Sequence, residues 1–73
     1  MGDRLPDLSG KELVKILERH GFATVRQRGS HLSMRHHDGR TVTTPLNKVV
    51  PKGTLRSVMR QAGLQRGDLH TQA

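Results

Sequence analysis

The sequence predicts a small α+β domain with the element order α-β-β-β-α, in which a three-stranded antiparallel sheet carries both helices on one face. Three observations predict it. Residues 8–22 and 53–64 repeat apolar side chains at helical spacing and contain a glycine near their ends. Three short alternating runs lie between them, punctuated by Gly-Ser and Asp-Gly. Two helices with one apolar stripe each cover only one side of such a sheet, so its other side stays in water.

The first helix is expected from about residue 10 to 20. Ser9 and Glu12 have the spacing of a capping box, and Leu8 and Leu13 stand at the staple positions flanking that cap. Leu13, Ile16, Leu17 and His20 form the stripe, with Val14 at its margin. Gly21 suits the left-handed turn that ends a helix, and Phe22 then packs back on Leu17. Gly10 at the first position carries a small propensity cost.

The strands follow as FATVRQR, HLSMRH and TVTTP. In the second, Leu32 and Met34 share one face while His31, Ser33 and Arg35 share the other. Alternation about Val25 brings Arg26 and Arg28 to the side of His31. Asp38-Gly39 is a strong signal for a two-residue hairpin turn. Val42 and Thr44 alternate with Thr41 and Thr43, and Pro45 ends the ladder. Residues 46–52 read as a loop. A second helix is expected from about 54 to 62, with Leu55, Val58, Met59 and Ala62 on one stripe, Gly63 as its cap and Leu64 against Met59. The tail beyond either adds a turn or frays. The chain reads as one domain, 1–73, with its core at about 8–64.

Charge points to a partner. Thirteen Lys and Arg face six Asp and Glu, a net +7. Residues 26–60 hold Arg26, Arg28, Arg35, Arg40, Lys48, Lys52, Arg56 and Arg60 against Asp38 alone, so the whole excess lies there. A one-sided basic segment fits a polyanion, above all nucleic acid, and also an acidic protein that covers the same surface. There is no apolar run near the ~20 residues of a membrane span. MGDRLP has no signal-like apolar region, and Pro6 breaks the myristoylation pattern. With no cysteine, disulfides and thiolate metal sites are excluded, and a reducing, cytoplasmic location is the simplest expectation.

The histidines narrow the chemistry. No metal is expected: His36 and His37 are adjacent and would point to opposite faces of a strand, and arginines nearby repel a cation. A Ser-His-acid triad has no suitable carboxylate, because Glu12 caps a helix and Asp38 lies in a turn. RNA cleavage asks less. The nucleophile is the substrate's own 2′-hydroxyl, and the protein must orient the strand, balance the charge on phosphorus and move protons. His31, opening a strand on the wet face between Arg28 and Arg35, suits that task, although an exposed strand histidine with no task is the plain alternative. His20 complements a helix C-terminus, His36 and His37 border a turn, and His70 lies in the tail. Base stacking has only Phe22 to draw on, and the core claims it, so binding falls to arginine and backbone contacts.

Four stretches together carry a family resemblance: SGKELVKILERHGF (9–22), VRQRGSH (25–31), RHHDGRTVTTP (35–45) and KGTLRSVMRQAGL (52–64). In this order they resemble the HicA-like mRNA interferase toxins of bacterial toxin–antitoxin pairs. The resemblance implies a fold like that of double-stranded-RNA-binding domains, cleavage of mRNA without a cofactor, and His31 as the catalytic residue. Arg26, Arg28, Gly29, Ser30, Arg35, Arg56 and Arg60 are the expected RNA-binding positions. The implied partner is a HicB-like antitoxin that covers the site, with the toxin monomeric when free and part of a larger assembly when neutralised. One position departs from the pattern: Asn47 stands where many members carry a second histidine, and an amide does not shuttle protons at neutral pH. Two other readings stand beside this one. The first is a non-catalytic RNA-binding module or inactive homologue, and the second is a domain whose basic face meets only an acidic protein.

Overall fold

The computed structural model describes residues 5–70; the ends of the expected domain, 1–4 and 71–73, lie outside the described residues. The elements are α1 (Gly10–Arg19), β1 (Phe22–Arg28), β2 (His31–His36), β3 (Thr41–Pro45) and α2 (Lys52–Ala62), followed by a 3₁₀ turn at Arg66–His70. The three strands form an antiparallel sheet in the order β1-β2-β3. The expected α-β-β-β-α order is the observed one.

The start of α1 follows from its cap. Ser9 accepts from the Glu12 N–H at 3.1 Å, and Glu12 accepts from the Ser9 N–H at 2.8 Å. Leu8, Leu13, Ile16 and Leu17 are buried. Gly21 takes φ +93° to end the helix, and Gly63 takes φ +74° to end α2. Gly10 is more than a tolerated weak residue. A Cβ there would collide with the Pro45 carbonyl oxygen and the Leu46 backbone, and the Gly10 N–H donates to the Asn47 carbonyl at 2.8 Å. The glycine lets the end of β3 lie directly against the start of α1.

One apolar cluster joins both helices to one side of the sheet. It contains Leu13, Ile16 and Leu17 of α1, Leu55, Val58 and Ala62 of α2, and Phe22, Leu32, Met34 and Val42 of the strands. Thr44, fully buried, continues that side. Two residues outside the expected 8–64 core join it, Leu5 and Leu69 of the 3₁₀ turn, and so does Val50 of the expected loop, whose N–H donates to the Leu8 carbonyl at 2.7 Å. None of the described elements covers the opposite side of the sheet, where His31, Arg35, Thr41 and Thr43 are exposed.

The second hairpin corrects the turn expected of Asp38-Gly39. His36 N–H donates to the Arg40 carbonyl at 2.8 Å and Gly39 N–H to the His36 carbonyl at 2.9 Å. The loop therefore holds three residues, with Gly39 at φ +99°. The reason is register. A two-residue Asp38-Gly39 loop would set Met34 opposite Thr43 and Arg35 opposite Val42, mixing core and solvent faces. The longer loop pairs Met34 with Val42 and Leu32 with Thr44.

Candidate functional site

The exposed face of the sheet is built at the β1–β2 turn. Gly29 has φ +55° and Ser30 does not have positive φ, the pattern of a II′ hairpin. That turn pairs Arg28 with His31 and Arg26 with Ser33. Direct cross-strand partners share a face and hold their Cβ atoms about 4.5–5.5 Å apart. At the other end of β1, Phe22 pairs with His36 and is buried. Strict alternation from Phe22 would send Arg26 and Arg28 into the core. A bulge between Thr24 and Arg26 adds one residue, reverses the phase and turns both arginines outward. Val25, the extra residue, is 55% exposed.

Arg26, Ser33, Arg35, Thr41 and Thr43 line a shallow hollow of about 360 Å³ on this face, with Val25 at its side. Thr41 and Thr43 are the cross-strand partners of Arg35 and Ser33. Alternation in TVTTP already indicated their side, but residue type alone did not mark them as site members. His31 stands at the end of the sheet, paired with Arg28 on one side and Pro45 on the other. Its side chain is exposed and makes no hydrogen bond or ion pair among the described residues. The turn beside it is held by Leu46 N–H to the Ser30 carbonyl at 2.6 Å and by Gln27 Nε2–H to the Gly29 carbonyl at 3.1 Å. Asn47 lies two residues beyond Pro45, at the start of α1.

Arg26, Arg28, Gly29, Ser30, His31 and Arg35 therefore share one exposed region. Arg56 and Arg60 do not belong to it. They are exposed on α2, in the layer of helices, and Arg56 lines a separate hollow with Leu5, Met59, Leu64 and Arg66. The other histidines are engaged elsewhere. His20 Nδ1 lies 2.9 Å from the Ile16 carbonyl, and its Nε2 lies 3.4 Å from Asp68. His36 packs edge-on to Phe22, and its Nδ1 accepts from the Asp38 N–H at 3.1 Å. His37 does not point away from His36 as adjacent strand residues would; the two rings lie 4.2 Å apart, because β2 ends at His36 and His37 is already in the turn.

Arg40 belongs to the basic excess, yet its side chain is bonded within the molecule. It donates to Asp38 at 2.8 Å and to the Ala62 carbonyl, and its guanidinium lies 5.3 Å from the centre of the Phe22 ring. The Arg40 N–H and guanidinium hold the Asp38 carboxyl below its ordinary value, with burial opposing them. Hydrogen bonding and charge from Lys52 likewise lower Asp7, and the Gln65 N–H, then His20, lower Asp68. Among the described residues, no group of three or more His, Cys, Asp or Glu could hold a metal ion. No described helix is long and apolar enough to cross a membrane.

What this face offers, among the described residues, is an unpartnered imidazole beside Arg28, with Arg26 and Arg35 on the same side of the sheet and no carboxylate. A model of the family described as the HicA toxin of bacterial toxin–antitoxin matches residues 10–64, from the first residue of α1 to the residue after the cap of α2. The chain belongs to the HicA toxin family. No match was found among curated proteins. The HicA match covers all three strands and both helices, so the hairpin that carries His31 lies within it. As a HicA toxin the chain is one half of a pair and has a cognate antitoxin.

Proposed function

We propose that this HicA toxin is an endoribonuclease that cleaves mRNA with His31 as its single imidazole, and that a HicB-like antitoxin silences it by covering the same face. The observation that carries the reading is the pairing of His31 with Arg28 on the sheet side that no described element covers. His31 takes the proton from the 2′-hydroxyl as that oxygen attacks phosphorus. The bond to the 5′-oxygen breaks, and the same imidazole returns the proton to the leaving oxygen. The products are a cyclic phosphate and a free 5′-hydroxyl, with no water, metal or cofactor consumed. Arg28, Arg26 and Arg35 neutralise the charge that builds on the phosphate oxygens. Gly29 and Ser30 bring backbone close to the strand. Arg56 and Arg60 meet RNA only if it continues round to the helical layer.

His31→Ala is expected to keep the fold and the RNA mobility shift while losing cleavage of a long mRNA in EDTA. A variant that cuts at the parent's rate would remove His31 from the mechanism. Asn47 supports a second reading, an RNA-binding homologue without activity, because the position common for another imidazole holds an amide. Parent protein that shifts RNA in a salt-dependent way and leaves it intact decides for that reading.

A further inference from the structure

A second concavity lies round the corner from His31. It is a groove of about 310 Å³ between α1 and the β1 edge of the sheet. Its floor is Val14, Leu32 and Leu46, its rim carries Lys11 and Lys15, and Gln27 and Glu18 complete the wall. Three of these residues are chain neighbours of the candidate site. Leu32 follows His31, Gln27 precedes Arg28, and Leu46 follows Pro45, the strand partner of His31. The groove and the imidazole therefore sit on opposite sides of the same strand end, one residue apart.

We propose that this groove is a nucleobase subsite, taking the base of a nucleotide next to the scissile phosphate. The proposal rests on the reading of His31 as an RNA-cleaving group. Holding a neighbouring base is one way to present one phosphate to one imidazole, and aromatic stacking is not available for it. Phe22, the sole aromatic residue, is 3% exposed. Apolar side chains can clamp a base in place of aromatic ones, and the open aliphatic floor here supplies them. The volume lies at the small end of ligand pockets, roughly 300–1,000 Å³, which suits one base.

The wall chemistry sets the expected preference. Gln27 commits its amide nitrogen to the Gly29 carbonyl at 3.1 Å, which leaves its carbonyl oxygen as an acceptor. The Glu18 carboxylate is a second acceptor. Two acceptors favour a base that presents an amino group (adenine, cytosine or guanine) over uracil. Lys11 and Lys15 stand one helical turn apart, are exposed, and pair with no carboxylate among the described residues. They complement the phosphates on either side of the held base.

The test uses the full chain in EDTA, with cleavage sites on a long mRNA mapped by sequencing and kinetics measured on a short RNA. Lys11→Gln/Lys15→Gln should raise KM at least fivefold with little change in kcat. Gln27→Met should erase the bias against uracil at one position beside the cut. Unchanged base frequencies and unchanged KM in both variants would overturn the subsite while leaving His31 in its role. Should the parent cut no RNA, the affinity of short oligonucleotides carrying uracil or cytosine, measured on the same variants, still decides the matter. Loss of antitoxin binding with RNA affinity intact would assign the groove to the protein partner and refute the proposal.

Discussion

At Gly10 two local rules disagree, and their magnitudes decide between them. Helix propensity favours alanine over glycine by up to about 1 kcal/mol. Against that, a Cβ would meet the Pro45 oxygen and Leu46 backbone, neither of which can swing aside as a flexible side chain would. Overpacking of this kind costs about 1–3 kcal/mol. Gly10→Ala is therefore expected to destabilise by about 1–2 kcal/mol in urea denaturation; a gain in stability would show that the end of β3 can retreat. The same contact has a functional side. Pro45 is the strand partner of His31, so displacing it disturbs one wall of the candidate site. At Gly29 the issue is the turn. Nothing lies within 4 Å of a Cβ there, and the need for glycine comes from φ +55° alone.

Among the elements, β1 is the one whose irregularity matters most. Its two ends obey opposite phases, one set by buried Phe22 and the other by the Gly29-Ser30 turn, and the bulge at Val25 reconciles them. Deleting Val25 forces a choice between Phe22 on the solvent face and Arg26 and Arg28 in the core. Exposing Phe22 alone forfeits about 1.5–3 kcal/mol. A chain of this size has roughly 4–11 kcal/mol in total. The deletion is expected to lower stability by at least about 2 kcal/mol, read as an earlier thermal midpoint. The β2–β3 loop makes a different prediction. Asp38 has a folded pKa below its ordinary 3.8, chiefly through the Arg40 N–H. Its contribution to stability is complete above the ordinary value and is lost as pH falls through the lowered one. Asp38→Asn should therefore weaken the fold at pH 7 and converge with the parent in acid, flattening the acid limb below about pH 4. Parallel pH profiles for the two proteins would show that Asp38 contributes nothing through its charge.

For the whole molecule, the basic excess divides between two surfaces. Arg26, Arg28 and Arg35 lie on the open sheet face, Arg56 and Arg60 lie on α2, and Arg40 is bonded to Asp38 and the Ala62 carbonyl. Single-stranded RNA binding loses affinity with salt at a slope of about −0.7 per phosphate contact. Replacing the three sheet arginines by glutamine should flatten that slope by about 2 for an RNA of about six nucleotides. Arg56→Gln/Arg60→Gln should leave the short-RNA slope unchanged and flatten it only with longer strands. Equal effects of both sets on the short RNA would mean that the helical layer binds directly.

Most of the fold was legible because its signals are local. Ser9 with Glu12, the glycines at 21 and 63, and the apolar spacing of both helices act within a few residues of chain. The position of His31 on the uncovered face was legible too, since Leu32 and Met34 claim the other side. The three-residue loop at Asp38, the stacking of His36 on His37, the internal use of Arg40 and the burial of Leu5, Val50 and Leu69 were not. The loop follows from the register of β2 on β3, Arg40 from Ala62, 22 residues on, and the burials from packing across the core, while His37 meets His36 because the strand stops between them.

By itself, then, the sequence determined which elements form, their order, and which side of β2 meets water, because capping, turn geometry and alternation are short-range. Only the tertiary structure decided the register of the second hairpin, the groove beside α1, and which arginines remain available to a partner. Those outcomes depend on matching two faces across space, and a pattern along one strand does not contain the strand it will meet.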